Sequence, residues 1–351
     1  MQDATEPLAH RPKAGTTPGR AALSTASRIA KPPRQTGTGP PLPGGTSARK
    51  TTRLDRFRHD RSLVIMLVPG LTLFLLFSYV PLLGNVIAFQ DYLPYVGVRD
   101  SPFVGTQNFE RLFSDGAFWQ ALRNTLEITA LQLVLFFPLP IALALLLHSL
   151  AGQWIKQVVQ TVLYFPHFIS WVIIVALFQQ TLGGAGALNQ TLREHGWGTV
   201  DIMTNPDVFS FLVTTQVIWK DAGWGTIIFL AALSTVDDQL YESAVVDGAG
   251  RWRRIWHITL PGIRPVIVLL LILRLGEALN VGFEQILLQR DAVGPEAGEV
   301  LDTYVYFHGI ASGDWSVAAA AGLFKGLVGL VLIIAANRAA HALGEQGVYQ
   351  K

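Results

Sequence analysis

Six apolar runs, each long enough to cross a bilayer as a helix, govern what this chain can fold into. They cover Leu63–Leu83, about Thr125–Leu147, Val158–Phe178, Val208–Leu233, Ile263–Phe283 and Trp315–Ala336. A hydrocarbon core about 30 Å thick takes about twenty helical residues, so each run is one expected span. Pro69, Pro81, Pro138 and Pro140 fall inside runs, a placement that membrane helices tolerate. The expectation is an all-α polytopic membrane protein with six transmembrane helices and both termini on one side. Only 15% of residues are charged, against about 25% in an average soluble domain.

Residues 1–61 stand apart. Pro, Gly, Thr, Ser and Arg dominate them without an apolar period, and such a composition buries too little surface to offset ordering entropy. A disordered basic tail is expected there, followed by a transmembrane domain over 62–351. The tail has no apolar segment near its start, so it does not read as a secretory signal. Its end, RKTTRLDRFRHDR, abuts the first apolar run and suits anionic lipid better than nucleic acid.

Charge bias sets the orientation. The tail, the link after the second run, the segment between the fourth and fifth runs, and the C-terminus, with Arg264 at the very start of the fifth run, hold nineteen of the 27 Lys and Arg. The opposite loops hold Arg99, Arg111, Arg123, Arg193 and Arg290. The positive-inside rule then makes both termini cytoplasmic in the plasma membrane.

Catalytic motifs are missing. There is no phosphate loop of the G-x-x-x-x-G-K-[ST] form, no H-E-x-x-H and no G-x-S-x-G. The absence of cysteine removes disulfides, thiolate metal sites and thiol nucleophiles. No metal, no cofactor and no enzymatic activity are expected of this chain.

Charges inside the runs point elsewhere. A charged side chain at a helix centre costs about 2.5–3.5 kcal/mol on insertion scales, so Lys220, Asp221, Arg274, Glu277 and Lys325 need partners or water. Arg274 and Glu277 lie three apart on one helix face and can pair. Lys220 and Asp221 are adjacent and point in different directions. These five residues form a candidate translocation path, or equally a set of inter-helix locks. His167 reads as a packed, hydrogen-bonded histidine. Gly322, Gly326 and Gly329 have the spacing that lets membrane helices approach closely.

The segment Tyr241–Gly262 breaks the apolar pattern with three arginines, an Asp and a Glu. It reads as two short helices around a hinge. Asp237 or Asp238 caps the first, Asp247-Gly248 ends it, and Leu260-Pro261-Gly262 stops the second. Leu240, Ala244 and Val245 give the first helix an apolar face, and Trp252, Ile255 and Trp256 give the second an apolar stripe. Such a hairpin needs a surface to bury against.

This hairpin resembles the EAA loop of ABC importer permeases, whose pattern is Glu-Ala-Ala, three residues, Gly, nine residues, Ile-x-Leu-Pro. The positions are Glu242-Ser243-Ala244, Gly248 and Ile258-Thr259-Leu260-Pro261, with Asp247 and Ala249 matching the fuller form. Ser243 in place of the middle Ala is the one departure. FVGTQNFERLF, FWQALRNTL, WKDAGWGTIIFLAALSTVD and DTYVYFHGI resemble permeases of the maltose-transporter kind, in the subgroup associated with oligosaccharides and polysaccharide fragments. The resemblance runs from about Arg61 to the end and does not include the tail.

It implies the type I ABC importer permease fold, with the EAA hairpin as coupling element. It also implies a second permease chain, two ABC ATPase subunits that bind the ATP, and an extracytoplasmic sugar-binding protein. A secondary transporter driven by an ion gradient is the alternative; it would show inverted repeats, and none is evident.

Overall fold

The computed structural model describes residues 61–150, 152–342 and 344; the expected tail lies outside them but for Arg61. The described residues are helical and contain no strand, only an isolated bridge between Gln90 and Phe103. Five helices are long and apolar enough to cross a membrane: Ile65–Phe89, Gly116–Ser149, Trp171–Glu194, Arg251–Gly276 and Trp315–Ala342. A sixth, Pro206–Leu233, bends by 75° into Asp238–Val246. We number these spans first, second, third, fifth, sixth and, for the bent one, fourth.

The outlines differ from the apolar runs in four places, each with a local cause. The second span begins at Gly116, where the Asp115 side chain accepts a hydrogen bond from Ala117 N at 2.9 Å and caps it. The third run is not one helix. Gln153–Tyr164 passes into a 3-10 turn at Phe165–Phe168 and an extended Ile169-Ser170 before the helix restarts at Trp171, because Pro166 cannot donate to the preceding turn. The fifth span stops at Gly276 instead of Phe283, and Gly282 takes a left-handed φ of 107° ahead of a separate helix, Phe283–Leu287. The fourth difference is that Leu260-Pro261-Gly262 stops nothing. Arg251–Gly276 is continuous, so the second arm of the hairpin and the fifth span are one helix.

A recurring device lets proline sit inside these helices. Three π-helical turns, Leu75–Tyr79, Gln132–Phe136 and Ile255–Thr259, each end two residues before a proline, Pro81, Pro138 and Pro261. A proline ring crowds the carbonyl four residues back and offers it no hydrogen. Widening the turn by one residue moves that carbonyl aside and keeps the helix going.

Three apolar clusters hold the bundle. One gathers Leu112, Phe118 and Ala121 with Leu301, Tyr304 and Ala320. A second joins Ile128 to Phe209, Val213, Ile286 and Val300. A third, at the other end, packs Ala144 against Phe229, Leu233 and Ile263. The segment between the fifth and sixth spans is stapled down by polar bonds. Asn124 Nδ2 donates to the carbonyls of Glu296 and Glu299, both at 2.9 Å. Tyr304 Oη donates to Asp115 at 2.6 Å, and burial first, then that carboxylate, pushes the phenol far above its ordinary pKa.

The tightest glycine contact among the described residues is between the Gln153–Tyr164 helix and the fourth span. A Cβ at Gly223 would lie 2.0 Å from the Leu163 carbonyl oxygen. Of the three glycines expected to mediate close packing, Gly329 does so: a Cβ there would lie 3.0 Å from the Gly276 carbonyl oxygen. Gly322 and Gly326 face open space. Most of the first span packs on nothing among the described residues: Ile65–Gly84 is exposed throughout, and only its last turn, with Ala88 and Phe89, enters the first cluster.

Candidate functional site

The hairpin is built as its residues dictate. Asp237 caps the first arm, Asp238–Val246, by accepting from Gln239 N at 2.9 Å. The arm ends in a paired-bond turn: Ala249 N donates to Ala244 O at 2.8 Å and Gly248 N to Val245 O at 3.0 Å. Gly248 carries the left-handed φ of 73° that this ending demands. Gly250 opens the second arm at Arg251. Tyr241 Oη donates to Thr259 Oγ1 at 3.0 Å and ties the arms together.

The apolar faces of the hairpin are uncovered. Val246 is 87% exposed, Trp252 75% and Trp256 64%, and Leu240 and Val245 are exposed as well. Ile255, the remaining member of the stripe, is half-buried between the arms. Trp252 and Trp256 therefore do not fold back onto their own bundle. Glu242, Ser243 and Asp247 are exposed, Ala244 and Ala249 half-buried, and Leu260 and Pro261 lie in the continuous helix.

The intramembrane charges separate into two kinds. Lys220 is buried and donates from Nζ to the carbonyls of His167 at 2.7 Å and Ile169 at 2.5 Å. It caps carbonyls freed where the third span breaks, with the Trp171 ring 5.4 Å away. Lys325 pairs with Asp302 from the segment before the sixth span. Both lysines are locks. Replacing Lys220 with methionine keeps most of its length and strips two buried carbonyls of their donor. The expected cost is about 1–3 kcal/mol, visible as a lowered melting temperature of the detergent-purified chain, with an unchanged value overturning the assignment.

Asp221 and Arg274 instead share a partly open polar neighbourhood. Asp221 Oδ1 accepts from His167 Nδ1 at 2.8 Å, and both side chains are about a third exposed. His167 stacks on Trp224 with ring centroids 4.4 Å apart and planes within 4°. Arg274 does not close an ion pair with Glu277. It donates to Gln132 of the second span, and both Asp221 and Glu277 lie near enough to act on its charge. Glu277 sits exposed at the C-cap of the fifth span because the helix ends there. Gln132, His167 and Trp224 join this neighbourhood, and charge-spotting alone passes over them; an amide in an apolar run was the available signal for Gln132.

A second amide network is buried nearby in the chain. Gln216, Gln285 and Gln289 bond to one another at 2.7–3.0 Å, which pins the Phe283–Leu287 helix to the fourth span.

Comparison with known proteins agrees with this arrangement. Residues 136–344 match the family described as binding-protein-dependent transport system inner membrane component. The chain is 49% identical to the polygalacturonan/rhamnogalacturonan transport system permease protein YteP of Bacillus subtilis, over 83% of its own length and 91% of the relative's. It is 42% identical to protein LplB of the same organism, over 87% and 96%. Its fold is similar to a chain of a bacterial alginate ABC transporter solved in complex with an alginate pentasaccharide-bound periplasmic protein. The TM-score is 0.76 and the identity 37%, covering 84% of this chain and 99% of that one. The chain belongs to the family of binding-protein-dependent transport system inner membrane components, as a membrane permease component and not an enzyme.

Proposed function

We propose that this chain is one of two permease subunits in an ATP-driven importer of oligosaccharides, coupled through Tyr241–Gly262 to separate ATPase subunits. The exposed hairpin carries the reading. Val246, Trp252 and Trp256 are bare apolar side chains on arms fixed by a cap, a glycine turn and a cross-bond. A rigid apolar helix face with an empty groove-side is what helix-in-groove docking uses. The positive-inside bias supports a cytoplasmic hairpin and cytoplasmic termini, where ATP is available.

The bare length of the first span, Ile65–Gly84, supports a second permease chain, since a helix face that packs on nothing described of its own is free to pack on a partner. A sugar-binding protein delivers substrate from the extracytoplasmic side, as the binding-protein-dependent family supports. One relative is named for polygalacturonan and rhamnogalacturonan, and one solved relative for alginate; oligosaccharide fragments are the substrate class those names support. Asp221, His167, Trp224 and Arg274 are the proposed path: a carboxylate–imidazole pair, a cation and an aromatic face can meet hydroxyls, carboxylates and a sugar ring in turn. Lys220 and Lys325 hold its walls.

The test is ATP-dependent uptake in vesicles holding all subunits. Gly248→Arg and Glu242→Lys are expected to abolish uptake while the complex still assembles. Uptake that persists in both assembled variants overturns the coupling role, and uptake without ATP that an uncoupler stops replaces the reading with a secondary transporter.

A further inference from the structure

Between the hairpin and the end of the second span lies a cavity of about 290 Å³ that the coupling function leaves unused. Its polar lining is His148 and Ser149 from the second span, Asp238 and Tyr241 from the first arm, and Arg251 and Arg254 from the second. Among the described residues, no ion pair involves Arg251, Arg254 or Asp238. Arg254 Nε is buried without a hydrogen-bond partner. Arg251, which lines the cavity, is the first residue of a 26-residue helix whose N-cap, Gly250, offers no side-chain cap. Two arginines and a histidine thus line one cavity with a single carboxylate.

We propose that this cavity holds the phosphodiester of an anionic phospholipid, gripped by Arg251 and Arg254. Arginine forks match phosphate oxygens in pairs, and a helix N-terminus adds partial positive charge. Asp238 sets the charge state: two arginines against one carboxylate leave room for a single negative charge. That suits a phosphodiester better than a free phosphate dianion. The surroundings suit a lipid. The cavity lies between the end of the second span and the hairpin, and Leu146 and Leu150, next in sequence to its lining residues, and Trp154 and Ile155 just after them are exposed apolar side chains against which acyl chains can lie. The proposal goes beyond ATPase docking, because the cavity faces into the angle of the hairpin while Trp252 and Val246 remain exposed outside it.

Two measurements on the assembled transporter test it. Complex purified from membranes and washed with phosphatidylcholine mixed micelles is extracted, and its phosphatidylglycerol is counted by mass spectrometry. Retention of about one molecule per chain is expected, and none retained overturns the site. Thermal shift then compares phosphatidylglycerol, phosphatidylcholine and inorganic phosphate. Phosphatidylglycerol alone is expected to raise the melting temperature of wild type and of Arg253→Gln, and not of the Arg251→Gln/Arg254→Gln variant. An equal shift with inorganic phosphate, or a shift that survives in the double variant, overturns the proposal. So does a double variant that keeps the lipid shift and sheds its ATPase subunits, which makes the cavity an ATPase contact. Uptake need not be measured, so failure here leaves the coupling reading standing.

Discussion

Gly223→Val is expected to leave almost no folded protein, the largest effect of any single substitution in the bundle. Its first added carbon alone would sit 2.0 Å from the Leu163 carbonyl oxygen and 3.0 Å from the Leu163 Cβ. Overpacking an apolar core costs about 1–3 kcal/mol when side chains can yield. Here the obstacle is backbone, so the Gln153–Tyr164 helix and the fourth span must separate. One turn away Lys220 caps the carbonyls of His167 and Ile169, and separation breaks those bonds too. Membrane-fraction yield and size-exclusion homogeneity are the readouts. Gly322→Ala, a glycine of the sixth span with nothing within 4 Å, is the control and is expected to behave as wild type. Normal yield for Gly223→Val would mean that the two helices do not meet here.

The second large effect is expected from Trp252→Ala combined with Trp256→Ala. Both indoles are mostly exposed in the lone chain, so truncating them should leave its own melting temperature nearly unchanged. In the complex they are expected to be buried. Interface tryptophans commonly cost 2 kcal/mol or more on truncation, so the pair is expected to weaken ATPase association by at least about a thousandfold, at 1.4 kcal/mol per tenfold. Pull-down of the ATPase subunits on the tagged permease measures it. Full recovery of ATPase with the double variant would show that the stripe faces lipid instead.

The apolar runs made six crossings legible, because the bilayer demands length and composition more than detail. The hairpin was legible for a different reason: Asp237, Asp247-Gly248 and the apolar stripes are local signals, and local hydrogen bonds satisfied them as written. What escaped was non-local. Arg274 and Glu277 have the spacing of a helical pair, yet the helix ends at Gly276 and the arginine turns to Gln132, 142 positions away. Gly322, Gly326 and Gly329 have the spacing of a packing seam, yet the tightest approach is at Gly223, where only the neighbour's backbone decides. Leu260-Pro261-Gly262 reads as a stop, and it fails as one because a π turn absorbs the ring.

That absorbed proline has a mechanical consequence. A true stop after Thr259 would have left a flexible joint, and any push on the hairpin would have dissipated there. Arg251–Gly276 is instead a single strut about 39 Å long at 1.5 Å per residue, with Trp252 near one end and Arg274 near the other. A tilt imposed at the tryptophans swings the arginine through the opposite arc. The π turn adds a gear to the strut: relaxing its extra residue into a plain α turn would rotate one end against the other by about 100°, one residue's share of a 3.6-residue turn. Under the proposed coupling, force applied at the hairpin would be delivered as rotation beside Asp221.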